Sequence, residues 1–284
     1  MNVRGLLCGV LGVAGALTHV PVAGAQRWRT LDASRQVHDT GALSVRVRYA
    51  AGKLDLRPAA SGLLYAMNIQ YDADRAEPFT RFDSAARTLD FGIRSQGVHF
   101  STSDKHMGSL HAELSNRVPI ELVLELGAVQ GELQLGGLRL TEFVLKGGAA
   151  DLSVRFDQPN PVRMRRMTLE VGAADVKVLR AGNAATERIL ATVGVGSLSL
   201  DLGGEWSRDI DVDANVALGE LSVRVPPDAG VWIDASTFLV EFEKSGLSKR
   251  GDAWVTPDFD AAKRHVRIRM RGAFGSFELS RDAR

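Results

Sequence analysis

Three aspartates alternate in the stretch RDIDVDAN, with Asp209, Asp211 and Asp213 two residues apart. On an extended strand that spacing turns all three carboxylates to one face. Such a row could offer oxygen ligands to a calcium ion. Paired carboxylates also cleave glycosidic bonds, and parallel β-helices carry such sites on their outer faces. Asp201 and Glu205 lie nearby in sequence. The competing reading is a solvated strand face with Ile210 and Val212 turned inward. It is the stronger one, and the enzyme case is thin without an Arg or Lys placed to stabilise a developing charge. The three aspartates stand as weak metal candidates, and no catalytic or cofactor-binding residue is assigned.

Basic residues alternate in the same way in HVRIRMR, where Arg267, Arg269 and Arg271 share one face and Val266, Ile268 and Met270 the other. This ribbon is the anion-binding candidate, suited to phosphates or an anionic envelope polymer. Charges that keep an edge strand from pairing with other chains are the plainer explanation. Arg163, Arg165 and Arg166 in VRMRRM form a second basic cluster. His99, His106 and His111, with Glu113, could supply nitrogen and oxygen ligands, but gaps of seven and five residues exceed the usual ligand spacing. His111 and Glu113, two residues apart, share parity and would share a strand face, which makes them the best two-residue fragment of a site. VGVGSL lacks the third glycine and the following helix of a nucleotide loop. Trp28, Trp206, Trp232 and Trp254 are too irregularly spaced for a sugar-stacking row, which points to packing at corners and ends.

The elements that would position these groups are strands. Small or polar residues followed by apolar-x-apolar recur as GKLDL (52–56), GELQL (131–135), ADLSV (150–154), ADVKV (174–178), GSLSL (196–200), GELSV (219–223) and GSFEL (275–279). Their first apolar positions from Leu133 onward, Leu133, Leu152, Val176, Leu198 and Leu221, are spaced by 19, 24, 22 and 23 residues. A period near twenty with alternation inside each unit predicts stacked β coils. The fold expected is all-β, a β-solenoid or β-roll of coils of about 19–24 residues with irregular β caps. Leu133/Leu135, Leu152/Val154, Val176/Val178, Leu198/Leu200 and Leu221/Val223 would form one inward ladder. Glycines just before these strands would relieve crowding at a corner. The regular coils are assigned to residues 124–225, an irregular N-terminal β region or cap to 26–123, and a C-terminal one to 226–284.

Residues 1–25 read as a signal peptide: Arg4, an apolar run over 5–17, then Ala23-Gly24-Ala25 as the cleavage site. That predicts a periplasmic or extracellular protein with no transmembrane span in its mature part. The one cysteine, Cys8, falls within this segment, so neither a disulfide nor a thiolate metal site is expected to stabilise the fold. The formal charge is +1 for the full chain, which argues against nucleic acid as a partner.

GKLDLRP (52–58), LLYAMNIQYD (63–72), VPIELVLELGAVQGELQLGGL (118–138), PNP (159–161), VPPDAGVWI (225–233) and the stretch 246–279 resemble, in this order, the bacterial secreted toast-rack family. The similarity extends more loosely to adhesin-like solenoids and to cell-wall-antibiotic-response membrane proteins. It implies a stacked β fold and an extracytoplasmic address, and carries over no catalytic residue. The resulting expectation is a non-enzymatic secreted envelope protein, a structural scaffold or adhesin-like binding module without cofactor. Its partner would be an envelope polymer or envelope protein, with homo-oligomers formed through edge strands. The alternatives are an accessory to an envelope-stress sensor and an exported carbohydrate-active hydrolase or lyase.

Overall fold

The computed structural model of the chain describes residues 27–60, 62–95, 108–206 and 208–281. Residues 1–25, with Cys8, and the histidines at 99 and 106 therefore lie outside the described residues. The strands are β1 (Trp28–Gln36), β2 (Leu43–Pro58), β3 (Leu63–Asp72), β4 (Ala76–Asp83), β5 (Thr88–Ser95), β6 (Ser109–Leu114), β7 (Pro119–Gln134) and β8 (Arg139–Arg155). They continue with β9 (Met167–Leu179), β10 (Arg188–Asp201), β11 (Ile210–Arg224), β12 (Gly230–Phe242), β13 (Ser248–Arg250), β14 (Ala253–Val255) and β15 (His265–Ser280). Two single 3₁₀ turns, Ala181–Ala184 and Phe259–Ala261, are the helical elements described. No helix among the described residues is long and apolar enough to cross a membrane.

The central strands are long and parallel, and this forces each to fold back on itself. β7 has 16 residues and pairs with β8 from Pro119↔Arg139 onward. A straight strand of that length would span roughly 50 Å, whereas the link from Gln134 to Arg139 reaches at most about 17 Å. The strand bends at Gly127-Ala128, where the pairing steps from Leu126↔Gly147 to Ala128↔Ala149. Inward parity changes at the same place: Ile120, Leu122, Leu124 and Leu126 are buried before the bend, and Val129, Leu133 and Leu135 after it. Each coil is thus two arms enclosing apolar side chains, with the bend as its apex.

Stacked in register, the coils make one all-β solenoid with a continuous core. The expected ladder residues from Leu133 to Val223 are all buried, the least so at 1% exposure. Their register differs from the one the recurring phrases suggest in one coil. Leu133 pairs with Val154, and Gly131 lies beside Leu152. The apex fixes this register, and Leu135 belongs to the turn, where its N–H donates to the Arg155 carbonyl at 2.8 Å. The similarity of GELQL to ADLSV is therefore offset by two residues.

The strand order is β1-β3-β6-β2-β7-β8-β9-β10-β11-β15-β12-β14-β13, with β5 pairing both β2 and β4. Two strands enter out of sequence. β2 lies between β7 and the pair β5/β6, which cover its first and second arms respectively. β15 lies between β11 and β12, parallel to both. Antiparallel strands β1, β3 and β4 close one end, and the short pair β13–β14 the other.

Candidate binding face

β15 determines where the chemistry of the first arm collects. Its Val266, Ile268 and Met270 are buried in the core, as are Ile210, Val212 and Ala214 of β11. Alternation then turns Arg267, Arg269 and Arg271 outward beside Asp211, Asp213 and Asn215, their register partners. On the other side β12 presents Trp232, Asp234 and Ser236 to the same three arginines. The acidic and basic rows, separate in the sequence, are adjacent rows of one lattice. Arg208, the cation next to the row in sequence, turns to Glu187; β15 instead sets Arg267 and Arg269 in register with Asp211 and Asp213.

The contacts within this lattice are uneven. Arg269 Nη1 stands 3.2 Å from Asp213 Oδ1. Asp209 accepts the backbone N–H of His265 at 2.8 Å, and its other oxygen lies 3.4 Å from His265 Nδ1. Trp232 donates its indole N–H to Asp234 at 3.1 Å. Arg267 and Arg271 have no carboxylate within ion-pair distance among the described residues, and Arg188 of β10 flanks Asp211 from the far side. Arg188, Arg267, Arg269 and Arg271 balance Asp209, Asp211, Asp213 and Asp234, so the face is a mixed-charge lattice without formal excess. Among the described residues no three His, Cys, Asp or Glu side chains converge on a common point. Chemically, the face can offer the free guanidinium forks of Arg267 and Arg271 to a carboxylate or phosphate.

On the second arm, His111 and Glu113 share the outer face of β6 opposite Asp55 and Arg57. Arg57 donates to Glu113 Oε1 from Nε at 3.0 Å and from Nη2 at 2.8 Å. His111 Nδ1 lies 3.4 Å from Asp55 Oδ2. On its other side stands Asn68, which donates to Asp32 at 2.6 Å. A shallow recess lined by Asp32, Ser34, Arg57, Asn68, His111 and Glu113 follows from this arrangement. Asp201 is apart from the aspartate row, on the second arm, 3.8 Å from Arg224.

The VRMRRM cluster is consumed by ion pairs between coils. Arg165 and Arg166 each reach a different oxygen of Glu142, at 2.6 and 2.8 Å. The hydrogen bond from Arg166, followed by its charge and that of Arg165, outweighs partial desolvation and holds the Glu142 carboxyl below its ordinary range. Arg163 and Arg208 share Glu187 at 2.6 and 2.7 Å. The tryptophans do not line up: Trp206 is buried and donates to the Leu202 carbonyl, Trp254 packs edge-on to Phe242, and Trp28 is at the opposite end of the stack.

Two residues the sequence reading passed over hold the turns. Asn160 and Asn183 are buried, and each uses its amide to satisfy backbone groups of neighbouring coils. Their signal was available, since asparagine in a tight turn commonly satisfies local backbone groups.

Comparison with known proteins gives a family and a set of distant folds. The family described as the N-terminal domain of toast_rack, DUF2154, matches residues 25–179. Among curated proteins no relative matches the chain. A "putative cell adhesion protein" from Clostridium sporogenes superposes with a TM-score of 0.44 at 12% identity, covering 89% of this chain and 100% of its own. A "putative adhesin" from Bacteroides fragilis gives 0.41 at 12% identity, covering 90% and 98%. Another from Parabacteroides distasonis gives 0.37 at 11% identity, covering 88% and 97%.

Proposed function

The chain belongs to the toast-rack family, and on that premise we propose that it is a non-catalytic scaffold or adhesin-like binding module of the bacterial cell envelope. The observation that carries this reading is the way polar side chains are displayed. Acid and base alternate from coil to coil on flat outer faces, as at Asp211–Arg267 and Asp213–Arg269. A catalytic centre needs groups that converge around one reacting atom. A lattice repeating at about 4.8 Å instead suits an extended or repetitive surface. The apolar N-terminal run ending in Ala23-Gly24-Ala25 supports export as the route to such a surface.

Within that face, Arg267 and its neighbour Trp232 are the contact point for an envelope polymer or protein. The guanidinium has no ion-pair partner among the described residues, and the ring beside it adds apolar area. Pull-down from intact cells, with peptidoglycan and outer-membrane fractions kept separate, tests the proposal. The wild-type protein should retain one fraction, and Arg267→Glu with Trp232→Ala should release it. Equal retention by both, or turnover of an envelope glycan by the purified protein, would overturn it.

A further inference from the structure

The apex of the solenoid carries an apolar ridge. In register across β10, β11, β15 and β12 stand Val195, Leu218, Phe274 and Leu239. They are 51%, 49%, 48% and 60% exposed. Towards the N-terminal end the same position holds alanine, from Ala173 back to Ala51. Nothing in coil geometry requires large side chains here, since alanine closes four other coils. Four in line at adjacent rungs form a contiguous exposed apolar stripe, the kind of feature that marks an interaction surface.

The flanks of the ridge differ in charge. On the second arm the first outward residues after the apex are Ser197, Glu220, Ser276 and Glu241, in register. Before the apex, on the first arm, they are Thr192, Asn215, Arg271 and Ser236. Arg271 is on β15, the rung between Glu220 on β11 and Glu241 on β12. None of the three forms an ion pair among the described residues.

We infer that the ridge is the contact between two copies of this chain, related by a two-fold axis parallel to the stack. Under that operation each apex residue meets its own equivalent, and the first arm of one copy faces the second arm of the other. Arg271 then comes opposite the second copy's Glu220 and Glu241, twice per dimer. The alternative two-fold, perpendicular to the stack, sets second arm against second arm and brings acidic residues together. An anionic lipid surface would meet the same Glu220 and Glu241, which repel it. The contact is narrow, at the low end of interface sizes, so the dimer is expected to be in the micromolar range, about 10⁻⁵ M.

The test uses the protein as isolated, its N-terminus read by intact mass, in sedimentation up to several hundred micromolar. The wild type should dimerise. Leu218→Asp with Leu239→Asp should be monomeric while keeping the wild-type circular dichroism. Arg271→Glu should weaken the dimer about tenfold, and adding Glu220→Arg and Glu241→Arg should restore it. Val195→Cys, in a Cys8→Ser background, should cross-link to itself on oxidation, as only the parallel axis brings Val195 to its own copy. A wild type that stays monomeric, a dimer indifferent to the ridge and charge variants, failure of Val195→Cys to self-link, or ridge-dependent binding to anionic vesicles without dimerisation would each overturn the inference.

Discussion

The backbone N–H of Asn160 donates to the backbone carbonyl of Asn183 at 2.7 Å, tying the turn of one coil to the turn of the next. Their buried side chains extend the tie in both directions. Asn160 donates to the carbonyls of Leu140 at 2.8 Å and Ala184 at 3.0 Å. Asn183 donates to the Phe156 carbonyl at 2.7 Å and accepts the Glu205 N–H at 2.6 Å. Replacing Asn183 with alanine removes the side-chain partner of two backbone groups, the Phe156 carbonyl and the Glu205 N–H. Asn183→Ala is expected to cost about 1–3 kcal/mol for each group that water cannot reach, measured by urea denaturation. A loss below roughly half a kcal/mol would show that the turn rehydrates freely.

Glycines with positive φ give a second expectation. Gly219 has φ +145, and a methyl group there would overlap the carbonyl oxygen of Gly196 in the coil below. Gly62 also has a positive φ, +96, but nothing lies within 4 Å of its would-be methyl. Gly62→Ala should therefore pay only for backbone strain, about 1 kcal/mol, whereas Gly219→Ala should lose clearly more through the added clash. Thermal melts of the two variants side by side measure the difference.

Acid should weaken the ties between coils at Glu142. Its carboxyl titrates below its ordinary range because Arg166, then Arg165, favour the charged form. A depressed folded-state pKa gives stability that is complete above the unfolded value, about 4.3, and is lost as pH falls through the folded one. Glu142→Gln should thus be less stable than wild type at pH 7, with the gap shrinking below about pH 4. Denaturation midpoints across pH 3–7 measure that gap.

Arg281 fastens the end of β15 to the closing segment. It donates to the carbonyl of Ala229 at 3.0 Å and to Asp258 at 2.8 Å, and it also reaches the Pro227 carbonyl. Arg281→Ala should speed amide exchange around residues 226–230 and 256–262 and leave β7–β9 unchanged. Uniform acceleration across the chain would instead mean that β15 itself had come loose.

The core was legible because alternation has one physical cause. A residue such as Leu198 is inward wherever its strand has one covered face, so parity alone placed the ladder. The register of β7 was not legible from phrase similarity, because the bend at Gly127-Ala128 sets it and Leu135 had already entered the turn. The lattice on the first arm was half legible. Each row could be read from its own alternation, but the strands that carry them are joined through some fifty-six residues, the separation of Asp209 from His265. Nothing local announces that β15 returns to lie against β11.

That return bears on how the protein is made. β15 follows β12 in the chain, yet it occupies a middle rung, with β11 on one side and β12 on the other. A chain lacking its final residues can stack β7 to β11 but must leave the far edge of β11 bare. Contacts that span such long loops form slowly, and an uncovered edge invites pairing with other chains. Joining β12 to the other coils therefore waits for β15. Until then the stack stops at β11, and the insertion of β15 converts that bare edge into an interior rung.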